Sequence, residues 1–343
     1  MMWCNGLMML LLTASLVVWP FMANAAPIDD LIAAAKREGA VEFFAAGTLG
    51  AEGAQKLGEA FNKKYRLNIK TLYHPSSGMA RDIAKVITIG SAGLPSEWDV
   101  MLVTDAHHAS LWLKKVQQRF DYAKVGVNPK LIQYDSSTVI LAHGFALPAY
   151  NKKLLPADET PKAWDDFLDP KWKGGKLGIT DAVHHLARLA TAWGEEKTTK
   201  YVKALAGQQA ILGPPGQMFS RLQIGEIKAA FTLGEGYIHS AKLSGAPIVH
   251  AEAVEPVIAP ATNAGVIKNA RHPNAGYLFS VFLTTPEAQN IWQHYRGESS
   301  AFVPGTPAYE YAQRRKMVYM TEDRAELINR LTIEYGKLLG FTQ

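Results

Sequence analysis

The chain predicts an α/β protein of two domains, each built on a mainly parallel sheet flanked by helices. Three observations carry this expectation. Short apolar runs alternate with helical periodicities of 10 to 15 residues, the pattern of parallel strands joined by right-handed crossovers. Several of these runs end in small polar residues, as strands do where open α/β sheets place their ligands. About 318 residues follow Ala25, more than one hydrophobic core usually supports.

The elements follow in order. Ile28, Leu31, Ile32 and Ala35 fall at helical spacing, with Asp29 and Asp30 in the first turn, and Gly39 stops the helix. Val41 to Ala45 reads as a strand, followed by the small-residue loop Ala46-Gly47-Thr48. Ala51 to Tyr65 is a second helix with Ala54, Leu57, Phe61 and Tyr65 inward. Asn68 to Tyr73 is a strand, and Pro75-Ser76-Ser77-Gly78 opens a helix bearing Met79, Ile83, Val86 and Ile87. Trp98 to Val103 is a strand ending in Thr104 and Asp105. Thr138 to Leu147 is an extended apolar run broken at His143-Gly144. From Trp164 to Asp181 the chain reads WDDFLDPKWKGGKLGITD, a loop, a turn and a strand, because Pro170 and Gly174-Gly175 forbid a continuous helix. That strand, Lys176 to Thr180, delivers Thr180 and Asp181 to its carboxyl end. A long helix, the turn Gly213-Pro214-Pro215-Gly216, a helix ending near Ile224-Gly225-Glu226 and a strand over Lys228–Leu233 come next. Pro247 to Pro260 is again extended. Gly265–Ile267, a helix over Pro273–Leu283 and two C-terminal helical stretches complete the chain.

Residues 1–25 read as a processing signal. The run Leu7 to Met22 ends in Ala23-Asn24-Ala25, a small-x-small cleavage pattern, so export to the periplasm with cleavage after Ala25 is expected. No Lys or Arg precedes the run, which leaves the α-amino group as the positive end. The single cysteine, Cys4, lies ahead of the run, so no thiol, disulfide or cysteine metal site is expected in the mature chain. The net charge of +5 is modest and spread out, and the chain has no basic cluster interleaved with aromatics, which argues against nucleic-acid binding. No G-x-S-x-G, H-E-x-x-H, P-loop or G-x-G-x-x-G pattern occurs, so the chain reads as a binding protein rather than an enzyme.

Candidate binding residues cluster at the predicted strand ends. Ser76, Ser77 and Gly78 place hydroxyls and free N–H groups at a helix start, suited to an anion; either serine serves equally as an N-cap. Thr48, Thr180 and Gln217 offer further hydroxyl and amide groups. Arg81, Arg188 and Arg221 could grip a carboxylate or phosphate. Arg221, behind the Gly216-Gln217 turn, is the strongest of the three. Asp105, Asp181 and Glu235 could hold an amine, so a small anionic or zwitterionic solute is expected. His107-His108 and His184-His185 read as structural or surface residues, since adjacent histidines do not face one way on a helix. Neither a metal nor a cofactor is expected.

Three stretches also carry a family resemblance: Trp164–Asp181, LIAAAKREGAVEFFAAG at Leu31–Gly47, and HPNAGYLFSVFLTTPEAQ at His272–Gln289. They resemble signatures of bacterial extracytoplasmic solute-binding proteins, in the branch with iron(III), thiamine, phosphonate and sugar-phosphate binders. The resemblance implies a two-lobed periplasmic binding protein fold of type II, with lobe 1 at 26–146 and 256–300 and lobe 2 at 147–255 and 301–343. It also implies a monomer that closes about a hinge on its solute and delivers it to the inner-membrane permease of an ABC importer. Within it, the Ser76–Gly78 loop contributes to the cleft. Tyr237 sits where iron-binding members carry adjacent tyrosines; this chain has one tyrosine there and no matching first-lobe acid, a departure from the iron pattern.

Overall fold

The computed structural model describes residues 27–76 and 78–341. The expected signal, its cleavage point, Cys4 and Ser77 lie outside the described residues. Thirteen strands are present among them: β1 (Ala40–Ala46), β2 (Lys70–Ser76), β3 (Val100–Thr104), β4 (Ile132–Gln133), β5 (Thr138–His143), β6 (Ala146–Asn151), β7 (Leu177–Thr180), β8 (Ile211–Gly213), β9 (Ala229–Gly234), β10 (Ile248–His250), β11 (Val257–Ile258), β12 (Ala261–Val266) and β13 (Met317–Val318). Twelve α-helices accompany them: α1 (Pro27–Glu38), α2 (Gly50–Tyr65), α3 (Met79–Ser91), α4 (Asp105–Leu113), α5 (His184–Trp193), α6 (Glu195–Ala206), α7 (Pro215–Ile224), α8 (Glu235–Ser244), α9 (Pro273–Leu283), α10 (Pro286–Arg296), α11 (Pro307–Ala312) and α12 (Ala325–Leu339).

The strands form two sheets, ordered β2-β1-β3-β12-β5-β4 and β13-β11-β6-β9-β7-β8, with β10 paired to β6. Both sheets are mixed, which corrects the expectation of mainly parallel ones. Helix-linked neighbours such as β1, β2 and β3 are parallel, whereas β12 runs antiparallel to both β3 and β5, and β6 antiparallel to β9. The cause is the connectivity: the chain crosses at 144–145 and returns at 259–260 in the opposite direction, so His143 lies against Ala261 in one sheet and Ala146 against Ile258 in the other. Sheet membership changes between His143 and Ala146, between Ile258 and Ala261, and a third time between Val266 and Met317. These exchanges were expected near Ala146, Glu255 and Ser300.

Sequence explains most elements locally. β2 runs on through Pro75 to Ser76, past the expected end at Tyr73; it is an outer strand paired only to β1, where a missing N–H is tolerated. β3 starts at Val100 rather than Trp98, because Asp99 serves as a staple: its carboxylate accepts from Glu42 N at 2.8 Å and His272 N at 2.8 Å. Helix α9 is buried from Ala275 through Leu283, as its nearly unbroken apolar sequence requires, and Glu38 caps its start through Asn274 N and Ala275 N. The Trp164–Asp181 stretch anchors the second core. Trp164, Phe167 and Trp172 are buried, Trp164 Nε1 donates to Pro256 O at 3.1 Å, and Phe167 stacks on Trp172 at 5.4 Å. Asp166 accepts from Lys162 N and Ala163 N, and Gly174 and Gly175 supply the positive φ angles of the turn. Ala106, Ala109 and Tyr134, from the half built on the first sheet, pack into the apolar cluster that holds α12 and α5. The two halves thus share a seam on that side.

Candidate functional site

The carboxyl ends of strands from both sheets meet at one cleft. It encloses about 910 Å³ of empty space, open solvent included. The first sheet contributes the ends of β1, β2 and β3. Thr48 follows β1 on a single 3-10 turn, and Gly47 before it passes so close to Ser76 that a Cβ would stand 3.0 Å from Ser76 O. Ser76 donates to Asp82 Oδ2 at 2.6 Å and accepts from Gly78 N at 3.2 Å, fixing the start of α3. Thr104 ends β3 and pairs its hydroxyl with His107 Nδ1 at 2.8 Å. The second sheet contributes Asp181 after β7, Thr232 on β9, and Glu235 and Tyr237 at the start of α8.

Six of the residues singled out in the sequence line this cleft: Thr48, Ser76, Gly78, Asp181, Glu235 and Tyr237. Four do not. Arg221 pairs with Glu226 on the surface, because Gly225 ends α7 in a left-handed turn that folds Glu226 back beside it. Gln217 is exposed on the outer side of α7. Thr180 is buried under the cleft floor, 3.2 Å from the Thr232 hydroxyl. Asp105 is also buried. It pairs through both carboxylate oxygens with Arg188 and accepts from Ala106 N at 2.8 Å and Ala261 N at 3.2 Å. Arg188, itself a candidate grip, is consumed by this pair, and Arg81 pairs with Asp82 on the surface.

The cleft instead holds residues that the sequence did not mark. Arg296, the last residue of α10, donates to Thr48 Oγ1 and to Glu298, and its guanidinium lies 5.4 Å from the Trp292 ring. Glu298 also accepts from Thr262 Oγ1 at 3.1 Å and Trp292 Nε1 at 2.9 Å. Gly236, on the opposite wall, sits against this guanidinium: a Cβ there would be 2.6 Å from Arg296 Nη1. The histidine pairs also meet. His107, His184 and His185 line the cleft, with ring centroids 4.9 Å apart for His107–His184 and 4.4 Å for His184–His185. The doublets come from the starts of α4 and α5. His108 faces away and pairs with Asn263 O and Gln117.

Burial sets the ionisation of these groups. It pushes the imidazoles down, His107 to about 4 and His185 to about 3, and neighbouring imidazoles and Arg188 reinforce the shift. His184 is held well below the usual range for the same reasons. All three are therefore neutral at pH 7. Glu235 is pushed up to about 7, first by burial and then by Glu298 and Glu252. Burial also raises the Asp181 carboxyl and the Tyr237 phenol.

A profile of the family described as "Bacterial extracellular solute-binding protein" matches residues 41–295. The chain belongs to that family. A curated relative, an uncharacterized protein of Haemophilus influenzae, is 28% identical over 188 residues, and the match spans about half of each protein, 51% of this chain and 52% of the other. Among solved structures, the chain resembles the periplasmic binding protein AfuA from Actinobacillus pleuropneumoniae with exogenous fructose-6-phosphate bound, at a TM-score of 0.70 and 17% identity, covering 88% of this chain and 99% of that one. It also resembles iron-bound HitA from Pseudomonas aeruginosa, at a TM-score of 0.66 and 16% identity, covering 87% and 99%. These likenesses establish the two-lobed periplasmic binding protein fold. No helix among the described residues is long and apolar enough to cross a membrane.

Proposed function

We propose that this chain is the exported solute-binding component of an ABC importer. It captures one small solute in the cleft between its two sheets and presents the closed form to a membrane permease. The observation that supports this most is the shared cleft itself. Strand ends from both sheets form its walls, while three crossings of the chain, at 144–145, at 259–260 and between α10 and β13, and the seam of α4, α5 and α12 join the halves beside it. A solute touching both walls stabilises the closed state by its differential affinity for it. Thr48, Ser76, Gly78, Asp181, Glu235 and Tyr237 are the sequence-derived residues we assign to the solute, with Arg296, His107, His184 and His185 added by the structure. Cleavage after Ala25, a periplasmic location and a monomeric state belong to the same reading. An iron(III) site on Tyr237 has less support: Tyr237 is the one tyrosine of the lining among the described residues, and Tyr150 lies on β6 packed against the second core, outside it. Protein purified from the periplasm without denaturant, then unfolded, should release one small molecule per chain, detectable by mass spectrometry. Material that releases none, and that gains no thermal stability from any solute, contradicts the assignment.

A further inference from the structure

The lining of the cleft is unbalanced in both charge and hydrogen bonding. Three carboxylates face it, from Asp181, Glu235 and Glu298, against one guanidinium and no lysine among the described lining residues. That guanidinium is bound by Glu298 and Thr48, which leaves only its Nε without a partner. The other two carboxylates have no cationic partner in contact. Asp181 makes its only side-chain hydrogen bond to its own backbone, and the nearest basic group to Glu235 is the neutral His250 ring, at 3.8 Å. Two of the positive helix starts are already answered from within the chain, by Asp82 in the first turn of α3 and by Glu235 itself at the start of α8, while α5 and α7 carry no acid in their first turns. A second and independent sign is His184. Its ring is buried to 4% exposure and lines the cleft, yet Nδ1 has no hydrogen-bond partner. The neutral ring therefore leaves one nitrogen unused in the cleft wall, an acceptor in the tautomer with its proton on Nε2. Buried polar atoms are rarely left unpaired, so this nitrogen marks the place of a hydrogen-bonding group from outside the chain.

Resting on the solute-binding reading above, we infer that the solute carries a protonated amine, held by the Asp181 and Glu235 carboxylates with His184 Nδ1 as a further acceptor. An ammonium group supplies three donors and a positive charge, which meets both deficits at once. A multiply charged anion lacking a basic nitrogen would meet three carboxylates and no free cation. Phe145 and Tyr237 add aromatic surface for the rest of the molecule. The groups around Glu235 are Glu298 and Arg296 beyond α10, Glu252 and His250 near β10, Lys242 on its own helix, and Tyr311 on α11. Its carboxyl titrates near neutrality, so the ionised form that grips an amine is lost on acidification.

The test is calorimetric titration of the ligand-stripped protein with ethanolamine, 1,4-diaminobutane and phosphoethanolamine as amine probes, and inorganic phosphate and glycerol 3-phosphate as anions. At least one amine probe should bind, and neither anion should match it. Asp181→Asn and Glu235→Gln should each weaken amine binding tenfold or more. Asp181 bonds only its own backbone, so Asp181→Asn remains informative if the other variant is unstable. Wild-type affinity for the amine should fall about tenfold from pH 8 to pH 6, and Glu235→Gln should lose most of that dependence. Binding of anions alone, or amine affinity unchanged in both variants, overturns the inference and leaves the solute-binding reading intact. So does release from the purified protein of a solute without a basic nitrogen. Absence of binding by any probe, together with release of no small molecule, overturns both.

Discussion

Replacing Arg188 by Met should destabilise the protein by about 3 kcal/mol, at the lower end of the 3–5 kcal/mol that breaking a buried ion pair costs. The magnitude follows from what Asp105 keeps. Arg188 is 0% exposed and Asp105 2%, so water cannot replace the lost guanidinium. The carboxylate retains Ala106 N at 2.8 Å and Ala261 N at 3.2 Å, two charge-assisted bonds that soften the penalty. Methionine fills a similar volume, which keeps the cavity contribution small. Asp105→Asn alone should also destabilise, because it leaves the guanidinium buried without a counter-charge. The double variant restores neutrality, so its loss should fall short of the sum of the single losses by 1–2 kcal/mol or more, about the scale of coupling between contacting residues. Urea unfolding followed by tryptophan fluorescence and far-UV circular dichroism reads all three. A loss below about 1 kcal/mol for Arg188→Met, or strict additivity in the double variant, refutes the argument that this pair is a coupled link between α4 and α5.

Three further outcomes are expected. Gly236→Ala places a Cβ 2.6 Å from Arg296 Nη1, so it should push the guanidinium off Thr48 and cost about 1–3 kcal/mol by thermal or chemical denaturation, whereas Gly234→Ala, whose Cβ meets nothing within 4 Å, should cost less. The Glu235 carboxyl rises from 4.5 to about 7 on folding, so it stabilises the fold below pH 4.5 and that contribution is lost as pH climbs through 7. Without ligand, Glu235→Gln should therefore gain on the wild type between pH 5 and pH 8, by on the order of 2 kcal/mol; a constant difference would contradict the burial of this group. The ring protons of His107 and His185 should show no titration above pH 5 by NMR, since both imidazoles are held neutral, and a midpoint near 6.5 for either would contradict it.

The order of elements was legible in the sequence because it rests on local signals. Gly39, the Gly174-Gly175 turn and the apolar spacing of α2 and α9 each act over a few residues. Sheet direction was not legible, since it depends on which distant strand β12 and β6 lie beside. The site divides in the same way. That Thr48, Ser76, Asp181 and Glu235 line the cleft was legible because a strand end followed by a helix start is a local pattern. Arg296 was missed because its partners, Thr48 and Glu298, meet only through α10 packing on α2. Arg221 had the right residue type behind a turn, but Glu226, five residues on, takes its charge. Asp105 and Arg188 each looked like a ligand group, and 83 residues of intervening chain hid the fact that they satisfy one another. The histidine doublets show the converse: each alone is unremarkable in sequence, and only the meeting of α4 and α5 brings His107 against His184.

Hydrogen–deuterium exchange of the protein as purified, compared with the same protein stripped of bound molecules in denaturant and refolded, tests the cleft assignment most directly. A solute held between the two sheets should protect amides at 47–49 and 78–80 on one wall together with 181–185 and 234–237 on the other, all lost on stripping and regained with the recovered solute. Protection confined to one wall, or exchange identical in the two samples while a solute is demonstrably bound, would place the binding site elsewhere and contradict the account.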